Sequence, residues 1–170
     1  MKKLAVIILA LLMAISICAC GKTETKEITT QQQVTKPKIS NPMVESNEER
    51  VEKKSGMEFK LPEKATGVTY YVINDEIGQI SFDLNKQNYT LRSKKADAAD
   101  DFSGLYYVWT EEKKVKVNGN DGEVHIYDGE DTECGSLIWF DKDKGSALTL
   151  SVDSKTTADK LVKLAESITK

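Results

Sequence analysis

Through the middle of this chain apolar residues fall at every second position, and near its end the spacing changes to three and four. Ile80, Phe82 and Leu84 alternate with Ser81 and Asp83, as a half-buried strand requires. The run 67–73 (GVTYYVI) before it is rich in β-branched and aromatic residues and is broken by Asn74-Asp75-Glu76. A turn over 85–88 returns the chain into Tyr89-Thr90-Leu91-Arg92 as an antiparallel meander. The stretch 105–117 (LYYVWTEEKKVKV) predicts one long or bent strand, closed by the Asn/Gly turn at 118–122. Val124 and Ile126, then 137–140, then Leu148, Leu150 and Val152 continue the alternation.

The period then becomes helical. Ala158, Leu161, Leu164, Ala165 and Ile168 line one face, Thr156 offers an N-cap, and Asp159 sits near the positive end of the dipole. A second, short and polar helical candidate is 93–101 (SKKADAADD). These patterns predict an α+β fold in which a curved antiparallel sheet of about seven or eight strands packs on a C-terminal helix. Two stretches also run in parallel: Ile80-Ser-Phe-Asp, a turn, Tyr89-Thr-Leu and Lys95-Ala-Asp against Ile138-Trp-Phe-Asp, a turn, Leu148-Thr-Leu and Thr157-Ala-Asp. They point to a duplicated half-domain or to two convergent hairpins.

The start of the chain follows neither period. Lys2 and Lys3 precede 14 uncharged, mostly apolar residues, Leu4 to Ile17, which end among small residues. This is the pattern of a signal peptide, too short for a comfortable membrane span of about 20 residues. Ile17-Cys18-Ala19-Cys20 resembles the site at which bacterial lipoproteins are cleaved and lipidated, with an aliphatic residue at −3 and a small one at −1. Cys20 is therefore the expected lipid acceptor, 1–19 the signal, and the membrane the expected partner through that anchor. A plain secretory signal or an uncleaved anchor is the alternative. Residues 20–55 are dominated by Thr, Gln, Lys and Glu, with few and irregular apolar positions, and read as a disordered tether, within which 47–54 (NEERVEKK) could form a transient helix of alternating charge that a partner orders, solvated linker being the simpler reading. The folded domain is then expected over 56–170, a size suited to one core.

Charge narrows the functions. Residues 56–170 carry 21 acidic against 15 basic side chains, a net charge of −6, which disfavours nucleic acid because phosphates need a basic surface. His125 is the one histidine, and Cys134 is the one thiol left once Cys18 is removed and Cys20 modified. A Cys/His pair is geometrically conceivable across the turn between them, but an exposed strand histidine and an incidental thiol are the simpler reading. Asp141-Lys-Asp-Lys-Gly145 has the D-x-D-x-G rhythm of a calcium loop without its distal Glu, and a hairpin turn explains it better. No catalytic motif is present in the sequence; neither enzyme activity nor a cofactor or metal is expected.

The Tyr-rich strand, the Asn-Gly turn, Val124-His-Ile-Tyr127, Leu137-Ile-Trp-Phe140 and the closing helix 160–168 together resemble a domain-of-unknown-function family of lipoproteins and membrane-anchored envelope proteins in Gram-positive bacteria. The resemblance implies a curved antiparallel sheet with a helix on the outer face of the membrane, and it carries no catalytic residues.

Aromatic doublets such as Tyr70-Tyr71 and Tyr106-Tyr107 place one ring on each face of a sheet, so half of them fall outside a core covered on one side. Tyr70, Tyr106, Tyr107, Trp109, Tyr127 and Trp139 are the candidate binding residues. Two functions follow: a monomeric interaction or sensing module for a protein or envelope component at the cell surface, or a carrier of a small apolar ligand in the concavity of the sheet.

Overall fold

A computed structural model describes residues 42–169. The signal 1–19, Cys20 and the tether as far as residue 41 lie outside the described residues. The described chain forms β1 (Met43–Glu45), α1 (Glu48–Ser55), β2 (Thr66–Ile73), β3 (Ile77–Leu84), β4 (Gln87–Lys95), β5 (Glu111–Val117), β6 (Asn120–Asp128), β7 (Glu133–Asp141), β8 (Ser146–Val152) and α2 (Ala158–Ile168). The strands make one eight-stranded antiparallel sheet in the order β1-β2-β3-β4-β8-β7-β6-β5. The expected α+β architecture is therefore present. Among the described residues no helix is long and apolar enough to cross a membrane.

The register sorts side chains into two faces. One face carries Val72, Ile80, Leu91, Leu150, Leu137 and Val124, which form the core under both helices. Phe82, Tyr89, Trp139 and Leu148 fill the rows beside them. Each helix docks where the sheet presents a glycine. A Cβ on Gly78 would stand 2.8 Å from Val51 Cγ1 of α1, and one on Gly135 would press on Thr156 Cγ2 just ahead of α2. The segment between α1 and β2 runs along the same face: Met57 and Phe59 are buried there, and the Lys60 N–H donates to the Ile168 carbonyl at the end of α2.

The opposite face is mixed, with Ile138, Ala147 and Cys134 buried among polar rows. One row crosses the sheet as Thr69, Ser81, Thr90, Ser151, Ser136, His125 and Glu112, each opposite the next. The connection 96–110 leaves the middle of the sheet at β4, passes over this face and enters β5 at the far edge. It forms a strap, and the side chains of Ser136, Thr149 and Cys134 are buried on the face it crosses.

Several expectations need correction. The domain begins near residue 43, not 56, because β1 pairs with β2 and α1 seats Val51 and Ser55 in the core. Asn47 caps α1 by accepting from the Arg50 N–H, and Gly56 closes it at φ 71°. The stretch 105–117 is a strand only from Glu111, since its first six residues belong to the strap. Residues 93–101 form no helix; Ser93-Lys94-Lys95 end β4. The cap of α2 is Thr157, whose side chain accepts from the Lys160 N–H. Thr156, one residue earlier, has its hydroxyl buried with no hydrogen-bond partner among the described residues.

The paired hairpins are real but not in the phase the letters suggest. Leu91 lies opposite Leu150 at the centre of the sheet, with Ile80 beside the first and Leu137 beside the second. Ile80 thus corresponds in space to Leu137, and Ile138 faces the other side. The turns differ too, two residues at Asn85-Lys86 with positive φ against four at 142–145. The helices break the symmetry, because α1 precedes its three strands and α2 follows its own.

Candidate functional site

Six aromatic residues were expected to mark a binding surface, and strand parity separates them. Trp139 lies opposite Gly122 and Leu148 on the core face and is 1% exposed. Tyr70 lies opposite Ile80 on that face, half-buried against the core, and burial followed by Glu48 and Glu52 holds its phenol above the usual range. Neither belongs to an open surface, because each points under a helix.

The other four come together on the strap side. Tyr127, projecting from β6, stacks on Tyr107 of the strap with ring centres 4.7 Å apart. Trp109 lies 5.7 Å from Tyr107 and 5.2 Å from the His125 ring. The alternation that lays Tyr107, itself 38% exposed, and Trp109 against the sheet turns Tyr106 and Val108 outward, where they are 93% and 90% exposed. The base of the strap is tied down at Thr110, whose N–H and hydroxyl both donate to the Ile126 carbonyl, while the hydroxyl accepts from the Asp128 N–H. Aromatic rings pinned from below thus hold two large apolar side chains in water.

Upstream the strap is fixed by Arg92 of β4. Its Nη1 donates to the carbonyls of Phe102 and Ser103 at 2.8 and 2.7 Å, and its Nε donates to Gln79. Gly104 follows at φ 81°, close over the guanidinium, where a side chain would collide with Arg92 Nη1. Burial lowers the pKa of Arg92, with Tyr106 acting against that shift. Lys94 pairs with Asp100 at 2.8 Å and covers the Phe102 ring.

No protein-family model, curated protein or solved structure matches this chain. The functional reading therefore rests on the geometry of the chain itself.

His125 and Cys134 share the strap face but are not opposite one another. His125 pairs with Ser136, and Cys134 with Tyr127. Burial, then the charge of Asp153, pushes the Cys134 thiol up, the wrong direction for a nucleophile. His125 Nε2 is 3.7 Å from Glu123, and its Nδ1 is buried with no hydrogen-bond partner among the described residues. The Asp141 carboxylate accepts the N–H groups of Asp143 and Lys144 at 3.0 Å each, which accounts for the D-x-D-x-G rhythm as a turn. A depression of about 320 Å³ lies against Ala99, Lys114, Asp121, Glu123 and Ile138, and a smaller one of about 140 Å³ lies between Arg92, Ser103, Leu105, Ser151 and Asp153. Charged side chains line both.

His125 is the element of this cluster that sequence reasoning set aside. Its place beneath Trp109 follows from the strap crossing β6, a long-range contact with no local signal.

Proposed function

We propose that the domain is a non-catalytic interaction module, held on the outer face of the cell membrane by a lipid on Cys20, and that the strap is its contact surface for a protein partner. The observation that carries the reading is the pair Tyr106 and Val108, fully presented to solvent on a segment whose neighbouring rings are stacked beneath them. Preorganised aromatic and aliphatic anchors of this kind give an interface large contact area at little cost in conformational freedom. The acidic turn beside Tyr127, with Asp128, Glu130, Asp131 and Glu133, disfavours an anionic lipid surface as the occupant. A catalytic reading is disfavoured by the raised pKa of Cys134 and its offset from His125. An apolar ligand in the sheet would have to displace the core residues and helices that already fill the apolar face.

The test is a photo-crosslinking residue at position 106 of the full chain in the native envelope, with position 142 at the opposite end of the β7 strand as control. A discrete adduct from 106 alone, lost on Val108→Asp, supports the reading; equal adducts from both positions overturn it. Cys20→Ala should move the protein out of the membrane fraction, and retention there would refute the anchor independently of the surface.

A further inference from the structure

We infer that residues 97–109 lift from the sheet as a unit while the eight strands stay paired. The two faces of the sheet are covered in physically different ways. The helix face is sealed by a continuous apolar core, from Ile80 and Phe82 to Trp139 and Leu150. On the strap face the floor mixes buried Ile138, Ala147 and Cys134 with Arg92, Ser136, Thr149, Ser151 and His125, so closure there excludes water from polar groups as well as apolar ones.

Three of those groups gain nothing in return. Ser136 Oγ, Thr149 Oγ1 and His125 Nδ1 are buried with no hydrogen-bond partner among the described residues. A buried polar group left unpaired costs free energy that water would restore on opening. The strap supplies little to hold itself down: Tyr106, Tyr107, Val108 and Trp109 make no backbone–backbone hydrogen bond with the described residues. Its attachments are made by side chains: the Arg92 guanidinium on two carbonyls, the Lys94–Asp100 pair with Lys94 over Phe102, the Tyr107–Tyr127 stack and Trp109 against the His125 ring.

Both ends are anchored outside this region, Ala96 N–H to the Gly145 carbonyl and Thr110 N–H to the Ile126 carbonyl. The segment between can therefore rise without unpairing β4 or β5. A region with few apolar contacts and unbonded backbone belongs to the low end of local stability. Lifting uncovers the hydroxyl row and the guanidinium, a polar surface absent from the closed form.

Cys134 reports the motion. It lies on the same face, between Tyr127 and the end of β8 where Leu105 crosses, and is 2% exposed. The test uses the full chain with Cys18→Ser and Cys20→Ser, leaving Cys134 as its one thiol, reacted with an aromatic disulfide reagent. The expected modification rate is flat at low urea, whereas the free energy of global unfolding, obtained from circular dichroism, falls steeply with urea. Arg92→Met should raise the rate about tenfold or more with the strands intact. Tyr107→Ser, which leaves Arg92 in place, should raise it as well and serves if the first variant fails to fold. A rate that follows global unfolding with the same urea dependence, or folded variants that both react at the wild-type rate, would overturn the inference.

Discussion

Gly78→Ala tests whether α1 belongs to the domain or merely precedes it. The added methyl would lie 2.8 Å from Val51 Cγ1 and 2.9 Å from the Val51 carbonyl oxygen. Carbon atoms settle at about 3.5–4.0 Å, so α1 must withdraw by roughly 0.7–1.2 Å. The carbonyl belongs to the helix backbone and cannot rotate out of the way. Overpacking of this kind costs about 1–3 kcal/mol. Loss of glycine freedom in the unfolded chain offsets about 0.4–1 kcal/mol of that. The net expectation is a loss of roughly 1–2 kcal/mol, or about 4–8 °C in Tm for a domain of this size, read by urea and thermal unfolding. A double-mutant cycle sharpens the test. Val51→Ala removes the nearer of the two contacts, so it should cost less in the Gly78→Ala background than alone, by at least about 0.5 kcal/mol. An unchanged or increased stability of Gly78→Ala, with additive effects in the cycle, would refute the docking of α1 on β3.

Other outcomes follow from the same packing. Leu161 is fully buried under α2 and Leu164 only partly, so Leu161→Ala should cost about 2–5 kcal/mol in urea unfolding and Leu164→Ala clearly less; equal costs would contradict the orientation of the helix. Asp75 has its pKa lowered, first by the hydrogen bond from Lys54, then by the charges of Lys54 and the bond from Arg50. A carboxylate whose folded pKa lies below its unfolded one stabilises the fold above the unfolded value and loses that contribution as pH falls through the folded one. Acidification should therefore loosen the contact between α1 and the β2–β3 turn, and Asp75→Asn should remove that response. An Asp75 carboxyl titrating at or above about 3.9 by NMR would contradict it.

The central hairpins and α2 were legible because their signals are local. Ile80, Phe82, Leu148 and Leu150 alternate against one buried face, and Leu161, Ala165 and Ile168 recur at helical spacing. Helix α1 was legible only as a transient helix over 47–54, because EERVEKKS offers a single large apolar residue. It suffices only because Val51 meets a glycine, and that complementarity spans 27 positions. The strap misled for a related reason. Leu105 to Trp109 has strand composition, but Arg92 draws the carbonyls of Phe102 and Ser103 onto the polar face, and pairing with β6 starts only at Thr110 and Glu111. Of the six aromatic residues, the sequence could say that doublets split between faces but not which member faces water. That depends on register, where one step exchanges Trp139 for its neighbours.

The strand order also sets a sequence in time. When β4 ends at Lys95 its neighbour does not yet exist, because β8 begins only at Ser146 and β5, β6 and β7 come between in the chain. Until then the row from Tyr89 to Lys95 is an open template for hydrogen bonding, beside the exposed Leu91. Such an edge can recruit a second chain as readily as its own last strand. The domain is completed by the pairing of greatest chain separation rather than by accretion along the chain, and such contacts slow folding. The interval between β4 and β8 is when this protein is most open to misassembly.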